Sequence, residues 1–235
     1  MRPKVIPQLP LALRYPPDQR LESFIAAPAG AIAQLQALAQ KRSADWLYLA
    51  GASATGKTHL ALALCAAAEQ AGLRPAYLPL LAASGRLRDA LDALEGNDVV
   101  ALDGLEAIAG NRDDEIALFD FHNRARSAGL NVLYTAQEVP GSLSLSLPDL
   151  RSRLSQNTCI VLNQLDDAAR AELLRDRARR RGLLLEETAI DWMLARTDRS
   201  LASLLALLDR LDRESLAAQR RITVPFLRQV VDSSH

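Results

Sequence analysis

The run Gly51-Ala52-Ser53-Ala54-Thr55-Gly56-Lys57-Thr58 has the form G-x-x-x-x-G-K-T, and it constrains the fold more than any other part of the chain. An apolar stretch, residues 46–50, leads into it, and an Ala/Leu-rich helical stretch leaves it near Thr58. Strand, glycine loop and helix in that order make a phosphate cradle. Gly51 and Gly56 let the backbone curl so that successive N–H groups face an anion. The helix N-terminus adds partial positive charge, Lys57 reaches the outer phosphates and Thr58 can hold Mg²⁺. All eight residues, with Ala52, Ser53, Ala54 and Thr55 supplying loop backbone, are therefore expected to bind a nucleotide.

A second motif is only half complete. Residues 98–102 read as a buried strand ending in the carboxylate of Asp103, which is placed to orient Mg²⁺ or its water. Many nucleotide hydrolases carry a second acid at the next position to polarise the attacking water. Here that position is Gly104. Glu106 lies two residues further on and can reach in, although nothing in the sequence requires it. A complete binding loop beside an incomplete hydrolytic motif points to a nucleotide that is held rather than turned over quickly.

The rest of the chain is organised around this pair. Residues 1–20 contain Pro3, Pro7, Pro10, Pro16 and Pro17 and read as an extended arm. From residue 21 to 165, a helix at 29–41 precedes short apolar strands at 46–50, 76–80, 98–102, 131–135 and 158–162. Helical stretches at 58–71, 85–94, 113–128 and 148–154 separate the strands. That alternation predicts an α/β domain with a mostly parallel five-stranded sheet covered by helices. Beyond residue 165 the pattern turns all-helical, with helices at 166–181, 186–195 and 201–219, so residues 166–235 are expected to form a small helical lid domain. Leu201, Leu204, Leu205, Leu208 and Leu211 recur at helical spacing and read as core.

Composition bounds the function classes. The 235 residues carry 28 Lys plus Arg against 28 Asp plus Glu, so no net positive charge drives general nucleic-acid binding. The basic run Arg175, Arg177, Arg179, Arg180, Arg181 sits at a helix C-terminus, where the macrodipole favours cations; DNA contact is the alternative reading. The longest unbroken apolar run, residues 60–68, is too short to cross a bilayer, and Pro7 and Pro10 interrupt any secretory leader. Cys65 and Cys159 lack metal-ligand spacing and are expected to be reduced core thiols of a cytoplasmic protein. His59, His122 and His235 show no ligand spacing either.

Over nearly its whole length the chain resembles AAA+ proteins of the replication-initiator branch, and within that branch the Hda family of small DnaA homologues. Gly51 to Leu60 is similar to the DnaA-type loop, including the His59-Leu60 that follows it. Leu147-Pro148-Asp149-Leu150-Arg151-Ser152-Arg153-Leu154 resembles the segment that carries the arginine finger, which implies that role for Arg153. Arg151, two residues away, is the alternative; the Ser-Arg-Leu context favours Arg153. Thr135 falls where the family has its sensor 1 residue, and Arg199, in Asp198-Arg199-Ser200, where it has the sensor 2 arginine. Residues 218–226 are similar to the end of Hda, and no DNA-binding helix-turn-helix segment is apparent after them. In the arm, Gln8-Leu9-Pro10-Leu11-Ala12-Leu13 resembles the peptide that docks on the bacterial sliding clamp. Proline pre-extends such a segment, Gln8 hydrogen-bonds, and Leu9, Leu11 and Leu13 fill an apolar groove.

What the resemblance implies is a regulator holding ADP or ATP, with ADP the expected form, and Mg²⁺. It would dock on the DNA polymerase III sliding clamp (beta), meet DNA only through that clamp, and stimulate hydrolysis of ATP bound to DnaA, so acting as an inhibitor of replication re-initiation. Assembly with further copies of itself stays open. Two other readings stand beside this one. A self-contained ATPase such as a helicase loader would turn over quickly on its own. A clamp adaptor without arginine chemistry would keep full activity after Arg153→Ala.

Overall fold

A computed structural model of the chain describes residues 19–43, 45–196, 201–218 and 222–232. After a short 3-10 turn at Leu21–Ser23, the elements run α1 (Ala31–Ala39), β1 (Leu47–Ala50), α2 (Lys57–Gln70), β2 (Pro75–Pro79), α3 (Leu80–Ala83), α4 (Leu87–Asp92) and β3 (Val99–Asp103). A second 3-10 turn, Leu105–Ala107, leads to α5 (Arg112–Ser127), β4 (Asn131–Ala136), α6 (Pro148–Ser155) and β5 (Thr158–Val161). Four helices close the chain: α7 (Asp167–Arg180), α8 (Glu187–Arg196), α9 (Leu201–Ala218) and α10 (Val224–Asp232).

The five strands form one parallel sheet in the order β2-β3-β4-β1-β5. Because side chains alternate along a strand, each strand feeds two cores. Leu47, Leu49, Val99, Ala101 and Leu133 pack under α1 and α2 with Leu60 and Leu64. Trp46, Tyr48, Val100, Leu102, Val132 and Tyr134 pack on the opposite face against Leu118, Phe121, Leu150 and Leu154. Both faces of the central strands are buried, which is why they read as continuous apolar runs. The five expected strands and the alternating helices are all present, with ends shifted by one or two residues.

The helix expected at 85–94 is α4, starting at Leu87, and an unanticipated short helix, α3, precedes it, the two separated by a turn at Gly85 (φ 81°). Asp114 holds that break, its carboxylate accepting the N–H of Gly85 at 2.7 Å and of Leu87 at 3.2 Å. Helix α10 was not anticipated. Cys65 is buried as expected, but Cys159 is exposed on β5, which is an edge strand.

The four terminal helices make their own core, with Leu174, Ile190, Met193, Leu204, Leu208, Leu211 and Leu227 all fully buried. Asp166 caps α7, its side chain accepting the N–H of Ala169 at 2.8 Å. Among the described residues no helix is long and apolar enough to cross a membrane.

Candidate nucleotide-binding site

In a parallel sheet all strands end on the same edge, so the phosphate loop after β1, the end of β3 and the end of β4 meet there. Gly51 is required by close approach, since a Cβ at that position would stand 2.5 Å from the carbonyl oxygen of Leu162 and 2.7 Å from Oγ1 of Thr55. Gly56 is left-handed (φ 93°), and a Cβ there would meet the ring of Phe24 at 2.5 Å. Lys57 is largely buried, and its Nζ donates to the carbonyl oxygens of Gly51 (2.6 Å) and Ala52 (2.9 Å). Burial lowers the Lys57 pKa, and the carboxylates of Glu106 and Asp103 oppose that shift. A desolvated ammonium whose hydrogen-bond partners are neutral carbonyls suits an anion lying along the loop.

The structure brings Thr58, Asp103 and Thr135 together. Oδ2 of Asp103 accepts from Thr58 Oγ1 at 2.8 Å, and Oδ1 accepts a short bond from Thr135 Oγ1. Thr135, fully buried, also accepts the N–H of Gly104 at 3.0 Å, tying the ends of β3 and β4 together. Thr58 and Asp103 present adjacent hard oxygen donors, the kind Mg²⁺ takes directly or through water, so these residues fit the ion. A third partner escaped the sequence reading: Tyr77, on β2, donates to Oδ2 of Asp103 at 2.8 Å. Burial and the Asp103 charge both push the Tyr77 pKa up, so the phenol keeps its proton. Nothing distinguishes Tyr77 from a core tyrosine until strand pairing sets Pro79 beside Asp103.

Above the loop lies an open cleft of about 420 Å³. Its apolar wall combines Phe24 and Ile25 with Leu165, Leu173, Leu201 and Leu205, and its polar wall includes Asp103, Glu106, Gln137 and Arg177. Leu201 and Leu205, expected as core with the rest of the α9 stripe, face this cleft, whereas Leu204, Leu208 and Leu211 turn inward. Much of the basic run is occupied by ion pairs: Arg175 with Glu187, Arg180 with Asp176, and Arg181 with Asp209.

Helix α6 is fastened at both ends. At its start, buried Glu115 accepts the N–H groups of Ser146 (3.0 Å) and Leu147 (2.7 Å) and the Ser146 hydroxyl (2.8 Å). It also takes the Gly110 N–H at 2.8 Å. Burial alone would raise the Glu115 pKa, but these hydrogen bonds hold it below the usual range. At the other end, the Asn157 carboxamide donates to the carbonyls of Leu154 (3.0 Å) and Arg153 (3.4 Å). Asn157 accepts in turn from Arg126, whose guanidinium lies 4.1 Å from the Trp46 ring centroid. The two arginines of α6 differ sharply. Arg151 is half-buried and donates to the Leu145 carbonyl, with its Nε enclosed. Arg153 is exposed, and its guanidinium has no hydrogen-bond or ion-pair partner among the described residues.

Residues 166–231 match the family model described as "Hda, lid domain". The whole chain is similar to domain III of the replication initiation protein DnaA from Thermotoga maritima, at TM-score 0.77 and 19% identity, over 93% of this chain and 98% of that one. Residues 166–231 thus resemble the Hda lid, and the chain shares the fold of DnaA domain III. AMPPCP-bound DnaA from Aquifex aeolicus aligns at TM-score 0.69 and 20% identity; 84% of this chain matches 66% of that chain, so it spans just under two thirds of that DnaA. The RuvB Holliday junction branch migration motor of Thermotoga maritima aligns at TM-score 0.67 and 19% identity, over 93% of this chain and 72% of that one. The AAA+ architecture, a five-stranded parallel sheet with a helical lid, is thus shared with both kinds of protein. Two expectations lie outside the described residues: Arg199, in the sensor 2 position, and the arm residues Gln8, Leu9, Leu11 and Leu13.

Proposed function

We propose that this DnaA-related protein binds ADP or ATP with Mg²⁺ at the loop 51–58 and acts as a regulator of a partner's nucleotide. Lys57 and the loop amides hold the phosphates. Thr58 and Asp103 hold the ion, which neutralises phosphate charge, and Thr135 and Tyr77 fix the Asp103 carboxylate. Gln8, Leu9, Leu11 and Leu13 dock the chain on a DNA-loaded sliding clamp, and Arg199 approaches the nucleotide from the lid. Arg153 then reaches ATP bound by DnaA at the interface between the two proteins and accelerates its hydrolysis, which restrains re-initiation.

The observation that carries this reading is the contrast between the two arginines of α6. A finger must be charged, exposed and uncommitted, on an element that does not move. Arg153 is exposed, its guanidinium has no hydrogen-bond or ion-pair partner among the described residues, and it sits on a helix tied at both ends, whereas Arg151 is spent on the Leu145 carbonyl. A guanidinium supplied in trans can accelerate phosphoryl transfer by about 10³–10⁵. The test is hydrolysis of DnaA-bound ATP with this protein added, with and without DNA-loaded clamp. Stimulation that needs the clamp supports the reading. Fast turnover by the protein alone contradicts it.

A further inference from the structure

Gly104 leaves no side chain after Asp103, yet the carboxylate of Glu106 comes near the position it vacates. Gly104 has φ 88°, a left-handed backbone that an L-residue adopts only with strain, so the chain cannot carry an acid there in this conformation at no cost. Glu106, on the 3-10 turn that follows, brings Oε1 to 3.8 Å from the point where a Cβ on residue 104 would stand. That is about the distance from Cβ to carboxylate oxygen within one extended glutamate side chain, given ordinary bond lengths. Its other oxygen, Oε2, accepts the N–H of Gln137 at 3.1 Å, just past the end of β4. One oxygen of the carboxylate is thus anchored, and Glu106 lines the cleft with Lys57, Thr58 and Asp103. Its field reaches the ammonium of Lys57 ahead of that of Asp103.

We propose that Glu106 is the water-polarising carboxylate of this chain's own slow ATP hydrolysis, reaching the site from the turn instead of from the position after Asp103; the proposal rests on nucleotide binding at the loop 51–58. A water held by Oε1 attacks the terminal phosphorus. An oxygen–phosphorus bond forms as the bond from that phosphorus to the β,γ-bridging oxygen breaks. The water proton passes to Glu106 and then to the released phosphate, and ADP stays on the loop. Hydrolysis of this kind converts bound ATP into the ADP form that the regulator is expected to hold. The route is slow, because Oε2 is tied to Gln137 and the turn must carry the carboxylate to its target.

The test is Glu106→Gln, which keeps an oxygen for the Gln137 N–H but cannot take a proton. Three quantities are measured on wild type and variant: ATP affinity, single-turnover hydrolysis, and the identity of the nucleotide recovered from the purified protein. The variant should bind ATP at least as tightly as wild type, since a negative charge facing the phosphates is gone. Its hydrolysis should fall by about a hundredfold, and it should carry ATP where the wild type carries ADP. Equal rates, ADP recovered from both proteins, or no hydrolysis by the wild type overturns the proposal. If Lys57→Ala binds nucleotide like wild type, the loop assignment itself has failed; intact loop binding with equal hydrolysis rates sinks only the role of Glu106.

Discussion

Lys57 and Arg151 show how the partners of a single side chain decide what its loss will do. Lys57 is a desolvated cation facing two carbonyls, so Lys57→Ala should relieve burial while removing charge-assisted contacts to phosphate worth roughly 1.5–3 kcal/mol each. Nucleotide titration should show at least a tenfold loss of affinity with the melting temperature of the nucleotide-free protein little changed. Arg151→Ala should act in the opposite way, lowering stability by about 1–3 kcal/mol through the freed Leu145 carbonyl. Chemical denaturation separates the two. His122 adds a pH dependence: burial first, then the charges of Arg126 and Arg153, lower its pKa to about 4 from 6.5. Its proton is bound by the unfolded chain below pH 6.5 but by the folded chain only near pH 4. Stability should therefore fall across that window as the pH drops, by on the order of 3 kcal/mol at most, and His122→Gln should flatten the slope.

Among the elements, α6 is where local sequence and tertiary context meet. Pro148 at its first turn announces the helix, but Glu115, which holds that turn from 31 and 32 residues upstream, carries no sequence signal. Glu115→Ala leaves the N–H groups of Ser146 and Leu147 without their buried acceptor and should cost about 2–4 kcal/mol. Hydrogen exchange should then rise at residues 145–150 and spare β1. Protection of α6 equal to wild type would show that the helix holds itself. The phosphate loop was legible because its constraints are local: glycine conformation, a lysine and a following helix. The strands were legible because both faces are buried. Tyr77 and the break at Gly85 were not, since each depends on a residue from another element, Asp103 and Asp114 respectively. Cys159 was misread because apolar neighbours in sequence do not reveal that a strand lies at a sheet edge.

At the scale of the whole molecule, the cleft joins parts that no local pattern links. Phe24 and Ile25 come from the segment before the sheet, and Leu201 and Leu205 from the lid, so a nucleotide bound in the cleft would lie against both. Binding should therefore stabilise the lid together with the sheet, by about 2.7 kcal/mol at a hundredfold excess over Kd, and merge their unfolding into one transition. Arg153 flanks the buried Leu150 and Leu154 on α6 and is exposed, with its backbone carbonyl accepting from the Asn157 carboxamide. Arg153 is not among the described residues that line its own cleft, in keeping with the proposed role on a partner's nucleotide. The most direct measurement is single-turnover hydrolysis of DnaA-bound ATP on DNA-loaded clamp, comparing wild type, Arg153→Ala and Arg151→Ala. Arg153→Ala should bind nucleotide and clamp normally and lose the stimulation, and Arg151→Ala, where folded, should retain it. Stimulation by Arg153→Ala equal to wild type would contradict the finger.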